Sequence, residues 1–226
     1  HNALSSSVSG RSSTAIGHNT LLVENVADDE AYNVAVGYQA GLGVTTAVQN
    51  TLIGAVAGQA VTTGANNTAL GHQALKANTI GNANVAIGKN AMLTNVAGDT
   101  NVAVGYDSLK VMTSATTADM YNTAVGHSSG LAVTTGVQNT LIGGQAGAAL
   151  TTGVRNVAVG YAALQTEDAN GANTALGYAA LNVQNAGADA YNTAVGYNAG
   201  LAVSTGVQNT ILGASAGDAL TTGDNN

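Results

Sequence analysis

Residues 192–223 read NTAVGYNAGLAVSTGVQNTILGASAGDALTTG, and the phrase that opens them at Asn192, Asn-Thr, two apolar residues and Gly, returns at Asn209. The same five-residue phrase begins at Ser13, Asn33, Asn50, Asn67, Asn84, Asn101, Asn122, Asn139, Asn156, Asn173, Asn192 and Asn209, twelve copies in all. Eight of the eleven spacings equal 17; the other three are 20, 21 and 19, the same unit with insertions of three, four and two. A short fixed period of this kind marks a solenoid, in which each repeat is one coil that buries its apolar side against its neighbours. Asn226 follows Asn209 by the same spacing, where a thirteenth copy would start, so the array is expected to continue.

Counting the Asn or Ser as position 1, position 5 is Gly in every copy and position 4 is Val, Ile or Leu. The expected structural set is therefore Val36 and Gly37, Ile53 and Gly54, Leu70 and Gly71, Ile87 and Gly88, Val104 and Gly105, Val125 and Gly126, Ile142 and Gly143, Val159 and Gly160, Leu176 and Gly177, Val195 and Gly196, and Leu212 and Gly213. A helix needs about 11 or more residues at 3.6 periodicity, and here a Gly and β-branched residues interrupt every unit. The phrase alternates instead, with positions 2 and 4 facing one way and 3 and 5 the other. Each unit is expected to be a short strand, a Gly turn, a second short strand around Ala40 or Ala57, and a Thr-Thr-Gly or Asn-rich return. Position 4, as in Val195 and Leu212, is expected to fill the interior. Ala and Gly at positions 3 and 5 would then leave a smooth apolar stripe outside for another chain.

The predicted fold is all-β, an elongated parallel β-solenoid or β-roll of about 17-residue coils. Residues 1–12 form an irregular N-terminal segment or cap, and 13–226 one continuous array. Asn at position 1 is expected to stack as an amide ladder that satisfies turn backbone groups. The recurring Thr pairs, such as Thr45/Thr46 and Thr62/Thr63, are expected to serve the turns.

Composition narrows the function. Among 226 residues there is no Pro, Cys, Trp or Phe, Gly contributes 30, and only 8% are charged, so catalytic side chains are scarce. Five basic and twelve acidic residues give a net charge of -7, which opposes nucleic acid and anionic membrane. No apolar run approaches the roughly 20 residues that span a bilayer, so no membrane insertion is expected. The chain opens at His1 without a charged and apolar leader, as expected of a processed or trimmed piece.

Three insertions interrupt the period, and each carries acid and ends in Tyr: ENVADDEAY to Tyr32, TSATTADMY to Tyr121 and NAGADAY to Tyr191. Bulges on a plain shaft are where a ligand is met, and Tyr is a good stacking surface, so Asp28, Asp29, Glu30, Tyr32, Asp119, Tyr121, Asp189 and Tyr191 are the candidate receptor contacts. The alternative is that these are tolerated loops with solvating charges. His18, His72 and His127 follow the position-5 Gly in a slot that Tyr also fills, which reads as packing or surface hydrogen bonding; no metal, cofactor or catalytic residue is expected.

The phrases NVAIG at 84–88 and SSTAIG at 12–17 resemble the head repeats of trimeric autotransporter adhesins, whose units centre on Ser-Val-Ala-Ile-Gly. Similar repeats occur in bacteriophage tail fibres, and GLAVTTGVQNTLIGGQAGAALTTG at 130–153 looks more like the latter. The resemblance implies a left-handed parallel β-roll, three chains around a fibre axis, and attachment to a host cell-surface glycan or protein. The expected function is a structural and adhesive segment of a phage tail fibre, extracellular on the virion, and not an enzyme. The alternatives are the head of a bacterial adhesin at the cell surface and, from another class, an ice-binding β-solenoid, which would need a long flat Thr face.

Overall fold

The computed structural model describes residues 2–5, 12–26 and 30–226; most of the 1–12 segment, and Asp28 and Asp29, lie outside the described residues. The fold is a parallel β-solenoid whose coils repeat at the spacing of the phrase, and no helix occurs among the described residues. The chain divides into two compact units, His1–Asp119 and Met120–Asn226.

In the first unit, β1 (Thr14–Ile16), β2 (Val34–Val36), β3 (Thr51–Ile53), β4 (Thr68–Leu70), β5 (Val85–Ile87) and β7 (Val102–Val104) stack in parallel in that order. A second, two-residue pair joins β6 (Gly98–Asp99) to β8 (Ala118–Asp119). In the second unit, β9 (Thr123–Val125), β10 (Thr140–Ile142), β11 (Val157–Val159), β12 (Thr174–Leu176), β13 (Thr193–Val195) and β14 (Thr210–Leu212) stack likewise. The register never slips: Thr140 lies opposite Val157, Leu141 opposite Ala158 and Ile142 opposite Val159. Within a unit each repeat position therefore becomes a column, one residue per coil.

The interior is the reverse of the expected one. Position 3 points inward, with Ala35, Leu52, Ala86, Ala103, Leu141 and Ala158 fully buried, while position 4 points out; Leu141 is 0% exposed and its neighbour Ile142 38%. A coil this small has room for Ala on its strand because the bulk enters from the opposite wall, at positions 9 and 12. Two interior patterns result. Where position 9 is Gly (Gly41, Gly58, Gly147, Gly200), position 12 is aliphatic (Val44, Val61, Leu150, Val203). Where position 9 is Leu or Met (Leu75, Met92, Leu164, Leu181), position 12 turns polar (Asn78, Asn95, Glu167, Gln184), and all of these are buried. Leu109 with Met112 is the exception. The large position-3 residues Leu52, Leu141 and Ile211 occur only in coils with Gly at position 9.

The expected second strand around Ala40 and Ala57 is absent. Both alanines are buried, but in a turn. Residues at positions 7 and 9 and just before position 1 all adopt left-handed conformations: Gln145, Gly147 and Arg155 have φ of 59°, 57° and 58°. Such residues cannot continue a strand, and for non-Gly types each costs about 1–2 kcal/mol. Backbone bonds to neighbouring coils hold them, such as Gln145 N–H to the His127 carbonyl and Arg155 N–H to the Val137 carbonyl.

Gly at position 5 is required by the stacking, not by an outer surface. Gly126 has φ of 135°, and a Cβ there would stand 2.6 Å from the carbonyl carbon and oxygen of Gly143, one coil on. The Asn ladder forms as expected. In coil after coil the Asn Oδ1 accepts the backbone N–H of the next Asn (Asn139 to Asn156, 3.0 Å), while its Nδ2 donates to a carbonyl of its own coil (Gly153, 2.9 Å). These amides are buried, so each pairing satisfies groups that would otherwise be costly. Thr at position 13 donates to the next coil's backbone: Thr45 to Thr62 O, Thr62 to Thr79 O and Thr134 to Thr151 O.

Candidate functional site

Two outward features and the insertions compete for a functional role. The first feature is the outer face of each strand stack. Positions 2 and 4 form two adjacent columns, Thr or Val beside Val, Ile or Leu, as in Thr140 and Ile142, Val157 and Val159, Thr174 and Leu176. Ile16, Leu70, Ile142, Leu176 and Leu212 are exposed. A parallel sheet is ordinarily covered on both faces, and here only the inner face is covered by the chain itself.

The insertions hold their Tyr residues in one conformation. Tyr32, Tyr121 and Tyr191 each precede position 1, with φ of 51°, 53° and 53°, and each is exposed. In each case the next coil carries Gln in that column: Gln49, Gln138 and Gln208. Glu30 is exposed beside Tyr32. Asp119 lies in β8, where its Oδ1 accepts the Thr100 hydroxyl at 2.9 Å. Asp189 Oδ1 accepts the Gly171 N–H at 3.0 Å, and its Oδ2 lies 3.6 Å from Arg155 Nη2, which fastens the third insertion to the two preceding coils. Tyr121 and Tyr191 lie four coils apart in the second unit, and Tyr32 belongs to the first, so these residues do not converge on one pocket within a unit.

The third insertion also has an interior consequence. In two regular coils the amides of positions 1 and 12 both donate to one Gly carbonyl, Asn67 and Asn78 to Gly81 O at 2.9 Å each, and Asn84 and Asn95 to Gly98 O. The insertion replaces that carbonyl in the coil of Asn173 and Gln184, whose Nδ2 and Nε2 meet no acceptor among the described residues. One coil earlier, burial pushes the Glu167 carboxyl above its ordinary range; bonds from the Asn170 side chain and backbone N–H pull it partly back.

The second outward feature was not singled out as a contact site from the sequence. At position 6 the rings of Tyr161 and Tyr178 stack with centroids 5.6 Å apart, and those of Tyr178 and Tyr197 5.2 Å apart. All three are about half exposed, at 50%, 49% and 57%. A line of amides runs beside them: Gln165 Nε2 donates to Gln145 Oε1 at 2.9 Å, Asn182 Nδ2 to Gln165 Oε1 at 3.1 Å, and the Tyr161 hydroxyl to Gln145 Oε1 at 3.3 Å. The available signal was the recurrence of Tyr at position 6 in three successive coils. In the first unit the same slot holds His18 stacked on Tyr38, and Lys89 over the Tyr106 ring. Among the described residues no three His, Asp or Glu side chains form a metal-binding group, and no helix is long and apolar enough to cross a membrane.

The fold thus defines a class, a parallel β-solenoid with a one-strand coil, an internal Asn ladder and an outer sheet face that carries a column of aliphatics beside one of Thr and Val. Compared with protein-family models, with curated proteins and with solved structures, the chain matches none.

Proposed function

We propose that the chain is a non-enzymatic structural and adhesive segment of a homotrimeric fibre, in which the outer faces of three strand stacks pack on one another. The observation that carries this reading is the column of outward aliphatics at position 4, including Leu70, Ile142 and Leu176, on a sheet face that the chain leaves open. Aliphatic residues repeated in register at every coil are a surface that association covers. It replaces the Ala and Gly stripe expected from the sequence. The threefold arrangement and the phage tail fibre, presented outside the cell on a virion, come from the resemblance at 84–88 and 130–153; the head of a bacterial surface adhesin is the same reading on another carrier. Host attachment to a cell-surface glycan or protein would then be multivalent, with weak contacts repeated on each chain.

Sedimentation equilibrium of the whole chain is expected to give three times the chain mass. The double variant Ile142→Asp with Leu176→Asp is expected to give one chain mass with its β-sheet circular dichroism intact. A wild-type chain that sediments as a stable monomer overturns the reading.

One observation favours ice binding as a second reading: Thr51, Thr68, Thr140, Thr174 and Thr193 occupy position 2 on the outer face. Aliphatic residues share that face at position 4, so thermal hysteresis by the isolated chain is the measurement that decides between the two.

A further inference from the structure

We propose that the stacked tyrosines Tyr161, Tyr178 and Tyr197, with the amides of Gln145, Gln165 and Asn182, form a binding rail for a neutral linear polysaccharide. The inference rests on the attachment reading above and names its ligand-contacting surface, away from the insertions.

The chemistry of the rail selects the ligand. Positions 6, 7 and 10 of these four coils carry Tyr, Gln, Asn, Ala, Gly and Leu and no charged residue. The same columns in the first unit hold Lys76, Lys89, Asp107 and Lys110, with Lys110 and Asp107 paired at 2.9 Å. A polyanion would need cations that the rail lacks, and the net charge of -7 repels it. Side-chain amides and phenol hydroxyls each offer donors and acceptors, which suits the neighbouring hydroxyls of a sugar. Among the described residues no group pairs with the hydroxyls of Tyr178 and Tyr197.

Geometry adds repetition and stiffness. Groups in a column recur once per coil, about 4.8 Å apart, so a polymer of hexose units laid along the rail meets similar groups again and again. Ring stacking and the chain of amide bonds hold these side chains in place before any ligand arrives, which lowers the ordering cost of binding.

The test is an array of neutral and acidic oligosaccharides probed with the whole chain, with oligomeric state measured separately by sedimentation. Neutral linear oligosaccharides are expected to bind. Gln165→Ala and Tyr178→Phe are each expected to weaken binding by about three- to tenfold; Tyr178→Phe keeps the stack, so its thermal midpoint is expected to match wild type. Thr205→Ala, exposed in a turn away from positions 6, 7 and 10, is expected to leave binding unchanged. Binding of acidic sugars only, or of nothing on the array, overturns the inference, as does unchanged binding by both rail variants. So does a Tyr178→Cys chain whose thiol resists labelling in the assembled protein, since the rail would then be buried. A trimer that fails these tests leaves the fibre reading standing, and a monomer that passes them overturns the trimer alone.

Discussion

Leu141 and Gly147 divide one interior space: a Cβ on Gly147 would stand 2.8 Å from Leu141 Cδ2. The same exclusion links Gly58 to Leu52, at 2.6 Å, and Gly200 to Ile211, at 2.9 Å from the next coil. A large residue on the strand wall excludes one at position 9 of its own coil. Where the strand carries Ala beside a position-9 Gly, as at Ala35 with Gly41 and Ala194 with Gly200, large side chains of the neighbouring coils crowd the Gly instead, Leu21 and Leu52 at Gly41, Leu181 and Ile211 at Gly200.

This exclusion predicts a coupled pair. Leu141→Ala is expected to cost about 2–5 kcal/mol by opening a cavity. Gly147→Ala is expected to cost about 2–5 kcal/mol, the left-handed penalty at its φ of 57° added to overpacking. The double variant is expected to lose at least about 1 kcal/mol less than the sum, because the new methyl enters the space that Leu141 vacates. Urea unfolding of the four proteins checks this, and simple additivity refutes it.

Two glycines with positive φ are expected to differ sharply. Gly126→Ala places a methyl against the Gly143 backbone at a φ of 135°, and it is expected to cost more than about 3 kcal/mol, the upper range of local backbone strain. Gly187 lies in an insertion at φ 73° with nothing within 4 Å of the added atom, so Gly187→Ala is expected to cost only the left-handed penalty, about 1–2 kcal/mol. Comparable losses of thermal midpoint in the two variants would show that stacking does not dictate the position-5 Gly.

Removing one rung of the Asn ladder strands groups on both sides. Asn139→Ala leaves the Asn156 N–H without its acceptor and the Gly153 carbonyl without its amide donor, both in the interior, while Asn156 Nδ2 keeps the Asn170 carbonyl. At about 1–3 kcal/mol for a buried unsatisfied group, a loss of about 2–4 kcal/mol is expected. Amide hydrogen exchange would locate it, with Asn156 losing protection ahead of amides three coils away.

The Glu167 carboxyl gives stability a pH dependence of known sign. Its folded pKa is raised by burial above the ordinary value of 4.5, so between those two values the folded chain holds more protons than the unfolded one. Stability from this group is greatest at pH below 4.5 and declines as pH rises toward and through the folded pKa. Glu167→Gln keeps the bonds from Asn170 and cannot ionise. The variant is expected to gain thermal midpoint over wild type from pH 4 to pH 8, and a constant difference across that range would refute the assignment.

The three tyrosines of the rail illustrate what one chain's repeats make legible. Their spacing marked a shared slot, yet a slot shared with His, Lys, Ala and Gly carried no mark of stacking. Only the register of neighbouring coils brings Tyr161, Tyr178 and Tyr197 ring to ring. The Asn ladder and the Thr-bearing turns were readable because both use local hydrogen-bond chemistry that repeats at one interval. The left-handed corners were hidden, since Gln39, Val56 and Leu181 occupy them at φ of 53°, 54° and 48° with no Gly to announce the conformation.

By itself the sequence determined the period of the array, the strand within each five-residue phrase, the invariant Gly and the ladder of Asn, because each is set by residue type at a repeating interval, whereas the second strand expected in each unit is replaced by a turn of left-handed residues. It also determined that positions 2 and 4 share one side and position 3 the other. Which side is the inside was decided only by tertiary structure. Alternation is symmetric, and bulk at position 4 suggested a core; the actual interior is so narrow that Ala lines its strand wall while Leu, Met or a polar partner reaches in from across the coil. The aliphatic column therefore faces outward, where it is free to meet another chain.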